Sequence, residues 1–168
     1  PPLLSGWHRR GFADGRIQLS IYHGDALNGL RDLNARQQQP IDAWFLDGFE
    51  PRKNPAMWEP KIFSAIAASS ISGTRACTFT ASGQVRRGLA EVGFEMRKVD
   101  QRPRKRESLA GVYTGKSQRV RPPVPRHIRI FGAGIAGCAV ARELASQGIN
   151  VELFDPNGIA HGGSRMQA

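Results

Sequence analysis

The stretch HIRIFGAGIAGCAVARELASQGINVELFDP, residues 127–156, constrains the fold more than any other part of the chain. It reads as a strand, a glycine turn, a helix and a second strand. Gly132, Gly134 and Gly137 form G-x-G-x-x-G directly after the apolar run IRIF. The first glycine permits the tight turn, the second lets backbone approach a pyrophosphate, and the third lets helix and strand pack closely. Ala136, Ala139, Ala141, Leu144 and Ala145 give the helix a small, apolar inner face, and Gly148 ends it. The second strand closes on Asp155, 18 residues after Gly137. An acid there accepts hydrogen bonds from a ribose, which fits NAD or FAD and disfavours a 2′-phosphate. Glycine spacing alone is a weak signal; strand, helix, second strand and terminal acid together make it strong. The free N–H groups at the helix start favour phosphate.

The preceding residues alternate strand-like and helix-like pieces. RIQLSIYHGDA (16–26) reads as a strand ending at Gly24-Asp25, and LNGLRDLNARQ carries spaced leucines suited to a helix. IDAWFL (41–46) is a continuous apolar run, the mark of a central parallel strand buried on both faces. PKIFSAIAASSI is a helix with Pro60 near its start, and Gly73 ends it. RACTFT is the next strand. GQVRRGLAEVGF is an amphipathic helix closed by Gly93, and FEMRKV and SLAGVYTG are the last two strands. The order β-α-β-α-β-α-β-β predicts a doubly wound α/β sheet. The opening segment PPLLSGWHRRGFADG offers no glycine-loop strand of its own.

Charge separates the two blocks. The chain has 168 residues and a net charge of +10. Between Arg97 and Arg129 stand eleven Lys and Arg against Asp100 and Glu107, nearly the whole excess. Such a stretch suits a polyanion, RNA or DNA, as well as a solvated linker. Residues 116–126, KSQRVRPPVPR, hold three prolines and four basic residues and read as a semi-rigid linker. The expected division is therefore 1–115, linker 116–126, and 127–168. Cys77 and Cys138 lie far apart in apolar runs, without metal spacing or a disulfide framework, which suits a reducing cytoplasm. No metal site is expected, since His8, His23, His127 and His161 have no ligand partners at useful spacing. No run approaches the length of a membrane span. Nothing in the pattern demands an obligate protein partner.

The strand IDAWFL ends on Asp47, followed by Gly48 and Phe49 and a proline-punctuated loop. In class I S-adenosylmethionine-dependent methyltransferases the fourth strand ends in an acid or amide beside the methyl donor, and LDGF stands where amine methyltransferases place an Asp/Asn-Pro-Pro-aromatic motif. DAWFLDGFEPRKNPAMW, TFTASGQVRRGLAEVGFE, RKRESLAGV and the glycine-loop unit, in that order, resemble one family. It is the bacterial family of bifunctional tRNA 5-methylaminomethyl-2-thiouridine biosynthesis proteins. The resemblance spans roughly residues 1–160. It implies the C-terminal part of a class I methyltransferase sheet followed by the first βαβ of an FAD-binding domain. It also implies S-adenosylmethionine as methyl donor, FAD as cofactor, tRNA as partner, and two consecutive steps at the wobble uridine.

Transferred to this sequence, the resemblance makes Asp47 the catalytic or amine-orienting group. Gly48 and Phe49 shape the substrate pocket, and Lys53, Asn54 and Pro55 form the loop beside the flipped-out base. Asp25 contacts the methyl donor. Gly132, Gly134, Gly137 and Asp155 hold FAD. Arg86, Arg87, Arg104, Lys105 and Arg106 meet tRNA phosphates. Against the family pattern, the methyl-donor glycine loop and most of the oxidoreductase domain are missing, and the tail HGGSRMQA departs from the family's Gly-Ala-Ser-Gly-Asn-Arg-Gln-Gly-Ala turn.

Blander roles stand beside these. Asp47 also suits a strand-end cap. Trp44, Phe45 and Trp58 suit core or loop packing, Cys138 suits a small packing residue, and Arg86 and Arg87 suit a solvated helix face. Two further readings compete for the chain as a whole. One is a catalytically incomplete basic piece that only contacts tRNA. The other is a dinucleotide-binding oxidoreductase module with a basic extension.

Overall fold

A computed structural model describes residues 4–13, 15–36, 39–103, 105–121, 123 and 125–158; of Lys105 and Arg106 it describes only the backbone. Arg104 and the tail HGGSRMQA therefore lie outside the described residues. The chain divides into two compact units. One comprises the described residues of Pro1–Gly6 and Tyr22–Pro122, the other those of Trp7–Ile21 and Pro123–Ala168.

The first unit is built on a four-stranded sheet. Its strands are β3 (Ala43–Leu46), β4 (Arg75–Thr78), β5 (Phe94–Gln101) and β6 (Lys105–Tyr113), in the order β3-β4-β6-β5. β3 and β4 run parallel, while β6 is antiparallel to both β4 and β5. Three helices accompany them, α1 (Ala26–Arg36), α2 (Pro60–Ala68) and α3 (Gly83–Glu91). Pro60 occupies the first turn of α2, where its missing N–H costs nothing. The helix stops at Ala68, well before Gly73. The Ser70 hydroxyl there turns back to donate 2.9 Å to the Ile66 carbonyl. Gly93, at φ +104°, closes α3 where a Cβ would meet the ring of Tyr113 and the backbone of Gly115.

Alternation along the strands sorts the residues onto two faces. Ala76, Phe94, Leu109 and Tyr113 join Leu27, Ile62, Phe63, Ile66, Val85 and Leu89 in one hydrophobic core beneath the helices. Phe94 and Tyr113 meet edge to face with ring centroids 5.0 Å apart. On the opposite face Phe45 is 78% exposed and Val112 is 39% exposed.

β3 therefore differs from the buried central strand that its composition predicts. It is the last strand of its sheet, and only one of its faces meets the core. Trp44 and Leu46 pack against the core, but Phe45 does not. Phe45 points to the face that none of the three helices covers. Its aromatic character is legible in the sequence; the missing neighbour is not.

The second unit contains the expected βαβ. β7 (His127–Phe131) and β8 (Asn150–Phe154) pair in parallel, joined by α4 (Ile135–Ser146). Phe131 and Phe154 stack with centroids 5.4 Å apart. Gly148, at φ +79°, ends α4 as predicted. The inner face of α4 is narrower than its alanines suggest. Gly137, Cys138, Ala141 and Leu144 are half-buried, whereas Ala136, Ala139 and Ala145 are exposed. A strand absent from the sequence reading, β1 (Gly6–Phe12), pairs with β2 (Ile17–His23) in a separate two-stranded sheet. β2 is thus not a member of the four-stranded sheet.

Candidate functional site

Asp47 stands immediately past the carboxyl end of β3, the place where parallel α/β sheets open toward ligands. The chain leaves it through Gly48 and Phe49 and returns through a 3₁₀ turn, Pro55–Trp58. The return is fixed by Trp58, which is 3% exposed. Its indole N–H donates 2.8 Å to the Phe49 carbonyl, and its ring meets Phe79 edge to face at 6.3 Å. The Glu50 carbonyl accepts the N–H groups of Lys53 at 2.8 Å and Asn54 at 3.0 Å, which rounds the loop off. A Cβ on Gly48 would come within 3.4 Å of the Trp58 ring. Phe49 itself is 71% exposed. A buried aromatic anchor thus holds the loop, while the residues after Asp47 stay open.

Two cavities meet at Asp47. One, of about 430 Å³, is lined by Asp47, Phe45, Thr78, Phe79, Gln101 and Ser108 among others. The other, of about 260 Å³, lies between Asp47 and Gly48 on one side and Ala26, Leu30, Met57 and Trp58 on the other. Ala26 follows Asp25 directly, so this second cavity joins the end of β3 to the start of α1. Asp25 caps that helix: its carboxylate accepts the Asn28 N–H at 3.0 Å and its carbonyl the Gly29 N–H at 3.0 Å. Among the residues lining these two cavities, Lys53, Asn54 and Pro55 do not appear. Arg86 and Arg87 are exposed on the outer side of α3.

The glycine loop of the second unit is tied by its backbone. Gly132 adopts φ +106° and donates its N–H 2.7 Å to the Phe154 carbonyl. Gly134 precedes the first turn of α4. A Cβ on Gly137 would overlap the Gly132 carbonyl, so only glycine keeps this approach. Asp155 braces the loop: Oδ2 accepts the Ala133 N–H at 2.8 Å and Oδ1 the Asn157 N–H at 2.9 Å. The Cys138 thiol donates 3.3 Å to the Ala133 carbonyl, a packing role within the same turn. The four residues expected to hold a dinucleotide are brought together around one turn. Gly137 thus lets α4 pack closely against the turn after β7, and the backbone at Gly134, where α4 starts, is the part that suits close approach of a pyrophosphate.

Comparison with known proteins matches the same two pieces. The family described as S-adenosyl-L-methionine-dependent methyltransferase matches residues 1–114. The NAD(P)-binding Rossmann-like domain matches residues 130–164. The "tRNA 5-methylaminomethyl-2-thiouridine biosynthesis bifunctional protein MnmC" of Nitrosospira multiformis is 42% identical over 164 residues, 96% of this chain and 25% of that protein. Its counterpart in Marinobacter nauticus is 46% identical over 156 residues, 92% of this chain and 24% of that protein. The chain belongs to the MnmC family of S-adenosyl-L-methionine-dependent methyltransferases. It spans about a quarter of the length of the MnmC relatives it matches, across the junction of methyltransferase and Rossmann-like segments. A solved structure described as "Crystal structure of MNMC2 from Aquifex Aeolicus" superposes with a TM-score of 0.54 at 25% identity, over 68% of this chain and 35% of that one.

The parallel pairing of β3 and β4 brings their carboxyl ends to one cleft, and Asp47 stands at its rim. Gln101 and Ser108 were not foreseen as lining residues. They reach the cleft from an antiparallel pair whose register the sequence does not display.

Proposed function

We propose that the polypeptide bearing this chain modifies the wobble uridine of tRNA in two steps. In the first step the carboxymethyl group of 5-carboxymethylaminomethyluridine would leave as a two-carbon oxo acid, with FAD as the two-electron acceptor and water supplying the oxygen, and 5-aminomethyluridine would remain. The second step methylates that amine to 5-methylaminomethyluridine with the methyl group that S-adenosylmethionine supplies. On this reading residues 1–115 belong to the methyltransferase domain, 116–126 to the linker, and 127–168 to the start of the oxidoreductase domain. The protein is cytoplasmic, and the chemistry needs neither a metal nor a second protein chain.

The observation that carries the reading is the position of Asp47 at the carboxyl end of β3, on the rim of both cavities. An amine attacks a sulfonium methyl only through a neutral nitrogen lone pair. The Asp47 carboxylate accepts the amine's N–H and aims that lone pair, and takes up the proton if the amine arrives charged. Gly48 keeps the pocket wall thin beside Trp58, and the exposed ring of Phe49 closes over the reacting group. Lys53, Asn54 and Pro55 face the extruded base from the loop. Asp25, beside the inner cavity, contacts the methyl donor. In the second unit Gly132, Gly134 and Gly137 accommodate the FAD pyrophosphate at the start of α4, and Asp155 holds a ribose. Arg86, Arg87, Arg104, Lys105 and Arg106 meet tRNA phosphates, which makes affinity fall steeply with salt.

The test is nucleoside mass spectrometry of tRNA carrying 5-carboxymethylaminomethyluridine, incubated with the complete gene product. With FAD alone the aminomethyl nucleoside accumulates; with S-adenosylmethionine added it is converted to the methylaminomethyl form. Absence of both products would overturn the reading.

A further inference from the structure

Gln101 and Ser108 line the larger cavity opposite Asp47, and they are joined: the Gln101 amide donates 3.2 Å to the Ser108 hydroxyl. Ser108 is held by the β5–β6 pairing, opposite Val99. Gln101 stands just past a register irregularity between Asp100 and Gln101. Such irregularities recur beside active sites, where they re-aim a side chain. The neighbouring charges are engaged elsewhere: Asp100 pairs with Arg102, and Glu107 with Lys98 at 2.8 Å. Gln101 is therefore a neutral amide, fixed by a hydroxyl, at the mouth of a cavity of about 430 Å³ whose other walls include Phe45 and Phe79. Cavities that hold small ligands run to about 300–1,000 Å³.

A primary amide offers an acceptor oxygen and two N–H donors, and the bond to Ser108 uses one donor. Acceptor and donor side by side complement a uracil edge, which presents N3–H next to O4. C5 is bonded to C4, so a base held by this edge presents its 5-substituent on the O4 side. We infer that Gln101, positioned by Ser108, reads the N3–H/O4 edge of the substrate pyrimidine and so points its C5 aminomethyl group at Asp47. The inference rests on the proposed methyl transfer, which it makes specific for uracil-type bases. Cytosine lacks N3–H and carries a donor in place of O4, so the same amide does not fit it in this pose. Position 2 of the ring is untouched, and sulfur or oxygen there is read alike.

The experiment is steady-state methylation of tRNA carrying 5-aminomethyluridine, in its 2-thio and 2-oxo forms, by the complete gene product. Gln101→Ala is expected to lower kcat/KM about tenfold or more, by an equal factor on both substrates. Binding of S-adenosylmethionine should stay unchanged. Gln101→Glu, which keeps the size and removes the donor, is expected to lose at least as much. Ser108→Ala should lose less, and Ser108→Thr should restore activity. Unchanged kcat/KM in both Gln101 variants, or a loss confined to the 2-thio substrate, would overturn the inference and leave the proposed function standing. A wild-type enzyme that does not methylate the aminomethyl base would overturn both.

Discussion

The two units hold their sites by different means. In the first, Phe63, Phe94, Ile66, Leu89, Leu109 and Val85 are each less than 2% exposed or close to it, and the Asp47 loop hangs from this core through Trp58. In the second, α4 has no fully buried residue, and Ala133 is the buried apolar residue among those described. Its glycine loop is shaped by backbone hydrogen bonds and by Asp155. A site built on distant packing is sensitive to volume far from the chemistry. One built on local backbone geometry is sensitive to a single added carbon. That is why the glycine loop stands out in the sequence, whereas the geometry around Asp47 does not.

The sharpest way to break this contrast is in the core. Phe63→Ala should destabilise the first unit by about 3–5 kcal/mol, seen as a lowered urea midpoint, because the side chain is almost wholly buried. Gly137→Val should weaken flavin retention about tenfold or more, read from bound-flavin absorbance, while S-adenosylmethionine binding is unaffected. Trp58→Phe keeps an aromatic ring but removes the bond to the Phe49 carbonyl and leaves a small gap. It should cost about 1–3 kcal/mol of stability and slow methylation at temperatures where the variant is still folded.

The smallest effect is expected from pH. The Arg121 guanidinium hydrogen-bonds Asp42 and holds its carboxyl below the ordinary aspartate value of 3.8. A depressed pKa stabilises the fold above that ordinary value, and the contribution is lost as pH falls through the lowered one. Both side chains are exposed, so solvent screens the pair. Asp42→Asn should therefore lower stability slightly at neutral pH and flatten the acid limb of the stability profile, with no difference left below the lowered value.

Much of this was legible in the residues. The four helices follow from apolar spacing and from Pro60, Gly93 and Gly148. The second unit follows from its glycines and Asp155. β1 escaped because Trp7-His8-Arg9-Arg10 shows neither alternation nor an apolar run. β5 and β6 extend past their predicted ends, to Gln101 and from Lys105, because cross-strand pairing rather than hydrophobicity sustains those ends. β3 reads as a central strand because its sequence is apolar throughout; pairing on one side only is a property of the sheet. The linker reading missed two ties. Arg119 donates 2.7 Å to the Ala68 carbonyl and 3.0 Å to the Asn34 carbonyl, and Arg121 bonds Asp42. Both arginines read as solvated charge until the ends of α1 and α2 are seen to present carbonyls to Arg119, and the residue before β3 a carboxylate to Arg121.

The central claim is that Asp47 serves methyl transfer and that the glycine-loop unit serves a separate step. The direct test is Asp47→Ala in the complete gene product, with both nucleoside conversions followed on the same tRNA. Methylation should fall about a hundredfold or more, while conversion of the carboxymethylaminomethyl base continues at the wild-type rate. Loss of both conversions, or of neither, would contradict the division of labour.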